Sequence, residues 1–120
     1  MTLKECYAAM GGNYDEVIGR LHSERLVQKF ALKFLDDPSY ALLCTSLENK
    51  NYEEAFRASH TIKGVCQNLA LTKLYESSNR LTESLRNGYT PDVEDFAAAV
   101  TADYQQITDA LRRFRESVEG

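Results

Sequence analysis

The chain has 120 residues, a length that suits one domain, residues 1–120, with one sizeable core. Apolar residues make up 43%, charged residues 27%, and the formal net charge is -4. That is a globular balance without the clustered basic surface that nucleic acids and anionic membranes require, so neither is an expected partner.

The elements read as helix from end to end. Both prolines fall where a helix should begin, and the β-branched residues never alternate as a strand would. Thr2 and Glu5 have capping-box spacing and open a short helix that Gly11-Gly12 stops; Asn13 and Glu16 repeat the signature for a second, to about Leu21. Ser23 caps a third, with Leu26, Val27, Phe30, Ala31 and Phe34 on one face. Asp37-Pro38 ends it and starts the next, Asp37 as cap, with Tyr40, Leu43, Cys44 and Leu47 as its stripe. Asn51 and Glu54 form a third capping box before a helix that runs to about Leu69. Thr72 is the expected cap of the following helix, where Leu74, Ser78, Leu81 and Leu85 face inward and Gly88 ends the run. Thr90-Pro91 starts the longest helix, whose stripe is Val93, Phe96, Val100, Tyr104, Ile107, Leu111, Phe114 and Val118. Short connections between amphipathic helices imply antiparallel neighbours. The expected fold is all-α, an up-down antiparallel four-helix bundle over about residues 23–118. The short N-terminal helices, over about 2–21, cap one end or side.

Cys6, Cys44 and Cys66 are too scattered for a disulfide framework or a C-x-x-C zinc pair. No apolar run reaches the roughly 18 residues of a membrane span. Reduced thiols in a cytoplasmic protein are expected. Nothing resembles a phosphate-binding Gly-rich loop or a metal-ligand set. His22 reads as a turn residue. Asp92, Glu94 and Asp95 suit the N-terminal end of a helix dipole, and Arg112, Arg113 and Arg115 the C-terminal end.

The segment from Asn51 to Leu69 carries the chemistry. At 100° per residue, Ala55, Ala58, Ser59, Ile62, Val65, Cys66 and Leu69 share the core side and His60 lies opposite. Phe56, Arg57, Lys63 and Gly64 surround His60 at helical spacing. Glycine in mid-helix costs roughly 1 kcal/mol against alanine, and access to His60 is a reason to keep it. Lys63 and Arg57 would attract the oxygens of a phosphoryl group. A lone surface histidine beside basic residues is ordinarily only a surface residue, so these features alone leave the matter open.

The stretch Ala58-Ser59-His60-Thr61-Ile62-Lys63-Gly64-Val65-Cys66-Gln67-Asn68-Leu69 resembles the signature of histidine-containing phosphotransfer (HPt) domains. The resemblance implies that His60 is the phosphoacceptor, that Lys63 stabilises the phosphoryl group and that Gly64 gives access. It also implies receiver domains of response regulators and a hybrid sensor histidine kinase as partners. No cofactor is expected in this chain, magnesium belonging to the receiver, and the chain is expected to be a monomer without autokinase activity. Phe56, Arg57 and Gln67 are the candidate partner-binding residues, with packing of Phe56 on Tyr7 or Tyr14 as the other possibility. Two departures stand out: Ala70 replaces the usual glycine at the helix end, and Thr82 occupies the position whose side chain ordinarily orients the histidine. The alternative is an interaction module that retains the fold without being phosphorylated. A third reading, His60 as the general base of an enzyme, lacks a second catalytic group.

Overall fold

The computed structural model describes residues 1–119, and they form seven α-helices and one 3-10 turn, with no strand among them. Helix α1 (Leu3–Met10) opens on a complete capping box: Glu5 N–H donates to Thr2 Oγ1 at 3.0 Å and Thr2 N–H to Glu5 Oε1 at 2.8 Å. Gly11 ends it in the left-handed conformation, φ 68°. Helix α2 (Tyr14–Leu21) and α5 (Tyr52–Leu69) are each capped by an asparagine, Asn13 and Asn51, whose side chain accepts from the N–H three residues on. The reciprocal half of the expected box is missing at both. Asn13 N–H is taken by Ala70 O at 2.8 Å and the Glu54 carboxylate turns to Arg57.

Helix α3 (Glu24–Lys33) is capped by Ser23 and runs into the 3-10 turn Phe34–Asp36. At α4 (Ser39–Glu48) the cap is shifted by one residue: Pro38 holds the cap position, while Asp37 Oδ1 accepts from Ser39 N–H at 2.8 Å. At α6 (Thr72–Leu85) the expected Thr72 cap is overturned. Leu71 is the cap residue, buried, and no side chain serves. Instead Lys73 N–H donates across the fold to Gly11 O at 3.1 Å, so tertiary structure satisfies the orphan donor. Gly88, φ 97°, turns the chain toward α7 (Asp92–Glu119). The 28 residues of α7 span about 42 Å at 1.5 Å per residue. That is the full long dimension of the molecule, 42 Å.

Helix α5 packs on α4 and α6, α6 on α7, and α1 on α7. The α5–α6 seam is made of small residues. Ala55, Ala58 and Ser59 are buried on α5, and Ser77, Ser78 and Thr82 on α6, where they let the backbones approach. The Ser59 and Thr82 hydroxyls lie 2.8 Å apart, and both reach the Ser78 carbonyl, at 3.1 and 2.7 Å. No buried side-chain nitrogen or oxygen among the described residues lacks a partner. The predicted stripes hold with exceptions. On α3 only Val27, Ala31 and the following Phe34 are buried, whereas Leu26 and Phe30 are 40% and 39% exposed, because α3 has few neighbours to cover a broad face. Val118 is exposed near the end of α7, and Val65 is half-buried at the edge of the core face.

Helices α1 and α2 close the C-terminal end of α5. Four carbonyls need partners there. Tyr7 Oη donates to Leu69 O at 2.9 Å, Asn13 N–H to Ala70 O, and Arg20 Nη1 to Asn68 O at 2.9 Å and to Gln67 O. Leu71 N–H closes the turn on Cys66 O at 2.9 Å. Ala70 itself is left-handed, φ 55°, and buried. A glycine would take that conformation freely, and here surrounding contacts hold an alanine in it.

Candidate functional site

The anchored helix α5 presents His60 to solvent on the side away from the Ala58–Ile62–Cys66 core face. Counting at 100° per residue, Phe56 and Lys63 lie toward α6, while Gly64, Asn68 and Val65 lie toward α3. Sequence spacing and structure agree on this ridge.

Gly64 has open space where a side chain would project: a Cβ built there meets nothing within 4 Å. No packing requirement explains the glycine. Lys63 is half-exposed and makes no ion pair among the described residues. Arg57 differs from expectation: its guanidinium is engaged by Glu53 at 2.8 Å and by Glu54, so its charge is already paired along the helix. Gln67 is exposed one turn beyond Gly64, on the lip of a hollow shared with Glu16, Arg20 and Tyr75.

Phe56 is half-buried, and its surroundings differ from the packing considered from sequence. It lines a hollow with Tyr52, Leu85, Arg86 and Gly88, where α5 begins and α6 ends. Tyr7 and Tyr14 pack edge to face, centroids 6.3 Å apart, at the other end of α5, where Tyr7 bonds Leu69. The Phe56 ring lies nearly parallel to the imidazole of His60, at 13° with centroids 6.1 Å apart. On Phe56 also rests Arg86, its guanidinium carbon 5.5 Å from the ring centroid. Arg86 is held by both carboxylate oxygens of Glu83, at 2.8 and 3.1 Å. Hydrogen bonds from Arg86 chiefly hold the Glu83 carboxyl below its ordinary range, and the Lys63 charge acts in the same direction.

Thr82 does not face His60. It is fully buried, and its hydroxyl belongs to the Ser59–Ser78 cluster in the seam. The residue is too short to emerge from between two helices packed through small side chains, so its hydroxyl does not orient His60. Glu83 and Arg86, one and four residues later, were not singled out from sequence. Their spacing of three is an ordinary exposed helix pair, and only the fold brings it to Phe56. A second feature missed is a mainly apolar hollow on the other flank, lined by Leu21, Phe30, Val65 and Leu69 together with Arg20 and Asn68. His22 ends α2 in the left-handed conformation, φ 58°, away from this ridge in sequence and contacts. No group of three or more His, Cys, Asp or Glu side chains converges among the described residues.

A family model described as the Hpt domain matches residues 26–116, more than two thirds of the chain. The matched segment runs from α3 into α7 and includes His60, Lys63 and Gly64; α1 and α2 precede it. No curated protein and no solved structure matches the chain. An exposed histidine on a helix of an all-α chain, with an unobstructed glycine one turn on, agrees with that match. Hpt domains serve phosphotransfer in two-component signalling, and this chain belongs to the Hpt domain family.

Proposed function

We propose that the chain is a phosphocarrier that accepts a phosphoryl group on His60 and relays it to or from the aspartate of a response-regulator receiver domain. The observation that carries this reading is the combination at one ridge of α5. An exposed imidazole has open space at Gly64 beside it and, at Lys63, a cation that forms no ion pair among the described residues. In the forward step an imidazole nitrogen attacks the phosphorus of an aspartyl phosphate. The N–P bond forms as the P–O bond to the carboxylate breaks, and the electron pair leaves on the carboxylate. Lys63 stabilises the phosphoryl oxygens while charge shifts across them. Gly64 lets the partner's backbone approach to the short distance that in-line transfer needs. Phe56 and Gln67 flank the ridge as docking contacts, and Arg57 adds a paired, polar rim.

On this reading residues 1–120 form one domain, with the long helices as an up-down antiparallel bundle that holds the ridge rigid. The chain works as a cytoplasmic monomer. A hybrid sensor histidine kinase and receiver domains are its partners, magnesium resides on the receiver, and the chain has no autokinase activity. The second reading, an interaction module that is not phosphorylated, draws on the exposed Leu26 and on Phe30, which is exposed and lines the apolar hollow.

Incubation with a phosphorylated receiver and magnesium separates the two. Acid-labile label is expected on the wild type and absent from His60→Gln, whose stability should change by no more than about 0.5 kcal/mol, since the side chain is exposed and its ring neighbour, Phe56, is only half-buried. Label retained by His60→Gln would overturn the phosphosite. Binding of the receiver without any label would favour the interaction module.

A further inference from the structure

The imidazole of His60 stands on an exposed ridge, where a side chain ordinarily samples several rotamers. In-line transfer needs one nitrogen aimed outward, and holding a reacting group in one orientation contributes directly to rate. The Thr82 hydroxyl is committed to the core and does not hold it. What the imidazole does meet is the Phe56 ring, at 13° and 6.1 Å, within the range of an offset stack. Phe56 is itself restrained: it is half-buried, forms one wall of the hollow lined also by Tyr52, Leu85 and Gly88, and carries the Arg86 guanidinium against its ring. Arg86 is in turn tied to Glu83 through two hydrogen bonds. The line Glu83, Arg86, Phe56, His60 thus leads from an ion pair at the C-terminal end of α6 to the imidazole on α5.

We infer that Phe56 is the positioning residue of His60, orienting the imidazole by stacking, with the Glu83–Arg86 pair fixing Phe56 in turn. This inference rests on His60 being the phosphoacceptor. It assigns Phe56 a task separate from docking, because a stacked ring acts whether or not a receiver is present. Leucine at position 56 would keep an apolar wall to the hollow but offer no flat face. Tyrosine would keep the face.

The test uses phosphoramidate, a small phosphoryl donor with no docking surface, beside NMR of the His60 ring protons. In the wild type those protons should show the ring-current displacement of a neighbouring aromatic ring. Phe56→Leu should abolish the displacement and slow labelling of His60 by phosphoramidate about threefold to tenfold, the scale of one aromatic contact. Phe56→Tyr should restore both, and Arg86→Gln should reduce both. His60 ring shifts that are the same in wild type and Phe56→Leu would overturn the stack. Shifts that move while phosphoramidate labelling stays at the wild-type rate would overturn the positioning role, and slowing confined to the receiver would then assign Phe56 to docking alone. A wild type that takes label from neither donor overturns the phosphocarrier reading, and this inference with it. A labelled wild type with an indifferent Phe56→Leu overturns this inference alone.

Discussion

At residue 64 a helix of 18 residues carries a glycine with nothing within 4 Å of where a Cβ would stand. The backbone there is helical, so no turn or left-handed conformation asks for glycine. Alanine should therefore stabilise the domain by roughly 1 kcal/mol, raising the melting temperature by about 3–5 °C. Gly19 in α2 is the control, since a Cβ there also meets nothing within 4 Å. Gly19→Ala should stabilise similarly and leave phosphotransfer unchanged, whereas Gly64→Ala should slow transfer from a receiver, and Gly64→Leu more so. Thermal melts followed by circular dichroism, with transfer assays on the same samples, compare the two sites. Equal transfer rates in wild type and Gly64→Leu would end the access argument.

At the scale of the element, α5 depends on helices that the family match does not include. Its last carbonyls are taken by Tyr7, Asn13 and Arg20, from α1, the α1–α2 turn and α2. Those bonds compensate for the alanine at position 70. The partners are not equal. Tyr7 is fully buried, so Tyr7→Phe leaves the Leu69 carbonyl without a donor and should cost about 1–2 kcal/mol. Arg20 is exposed, so water replaces it in Arg20→Ala and the loss should be smaller. Urea melts should rank the variants in that order. Hydrogen exchange should speed up first at the C-terminal end of α5 rather than uniformly. A ranking with Arg20 first would mean that its charge at the end of the helix dipole outweighs the buried hydroxyl.

At the scale of the molecule, one core gathers residues from α1 to α7, and it contains Cys6, Cys66 and Tyr7. Desolvation pushes the Cys6 thiol from 9.0 up to about 11, and it raises Cys66 and Tyr7 as well. These acids are harder to ionise folded than unfolded. Their contribution to stability is complete below the unfolded values, near pH 9 for the thiols and near 10 for Tyr7, and is lost as pH rises toward the folded values. Urea stability should thus be level between about pH 7 and 8.5 and fall steadily above 9. A thiol reagent at pH 8 should modify Cys44, which is only partly buried, well before Cys6 and Cys66, which wait for global opening. Three thiols reacting at one rate would contradict the buried placement.

The amino-acid sequence by itself determined what local physics and periodicity control. The asparagine and serine caps, the inward stripes of α5 to α7 and the outward aim of His60 with Gly64 one turn on were legible because they depend on a helical period and on bonds within three or four residues. What lay between elements was not. The bond of Thr82 to Ser59, the exposure of Leu26 and Phe30, the capping of α6 by Gly11 O and the placing of Arg86 on Phe56 each depend on which helix lies against which. A residue's face on its own helix follows from counting. What stands opposite that face follows only from packing, because contacts distant in sequence leave no periodic trace in it.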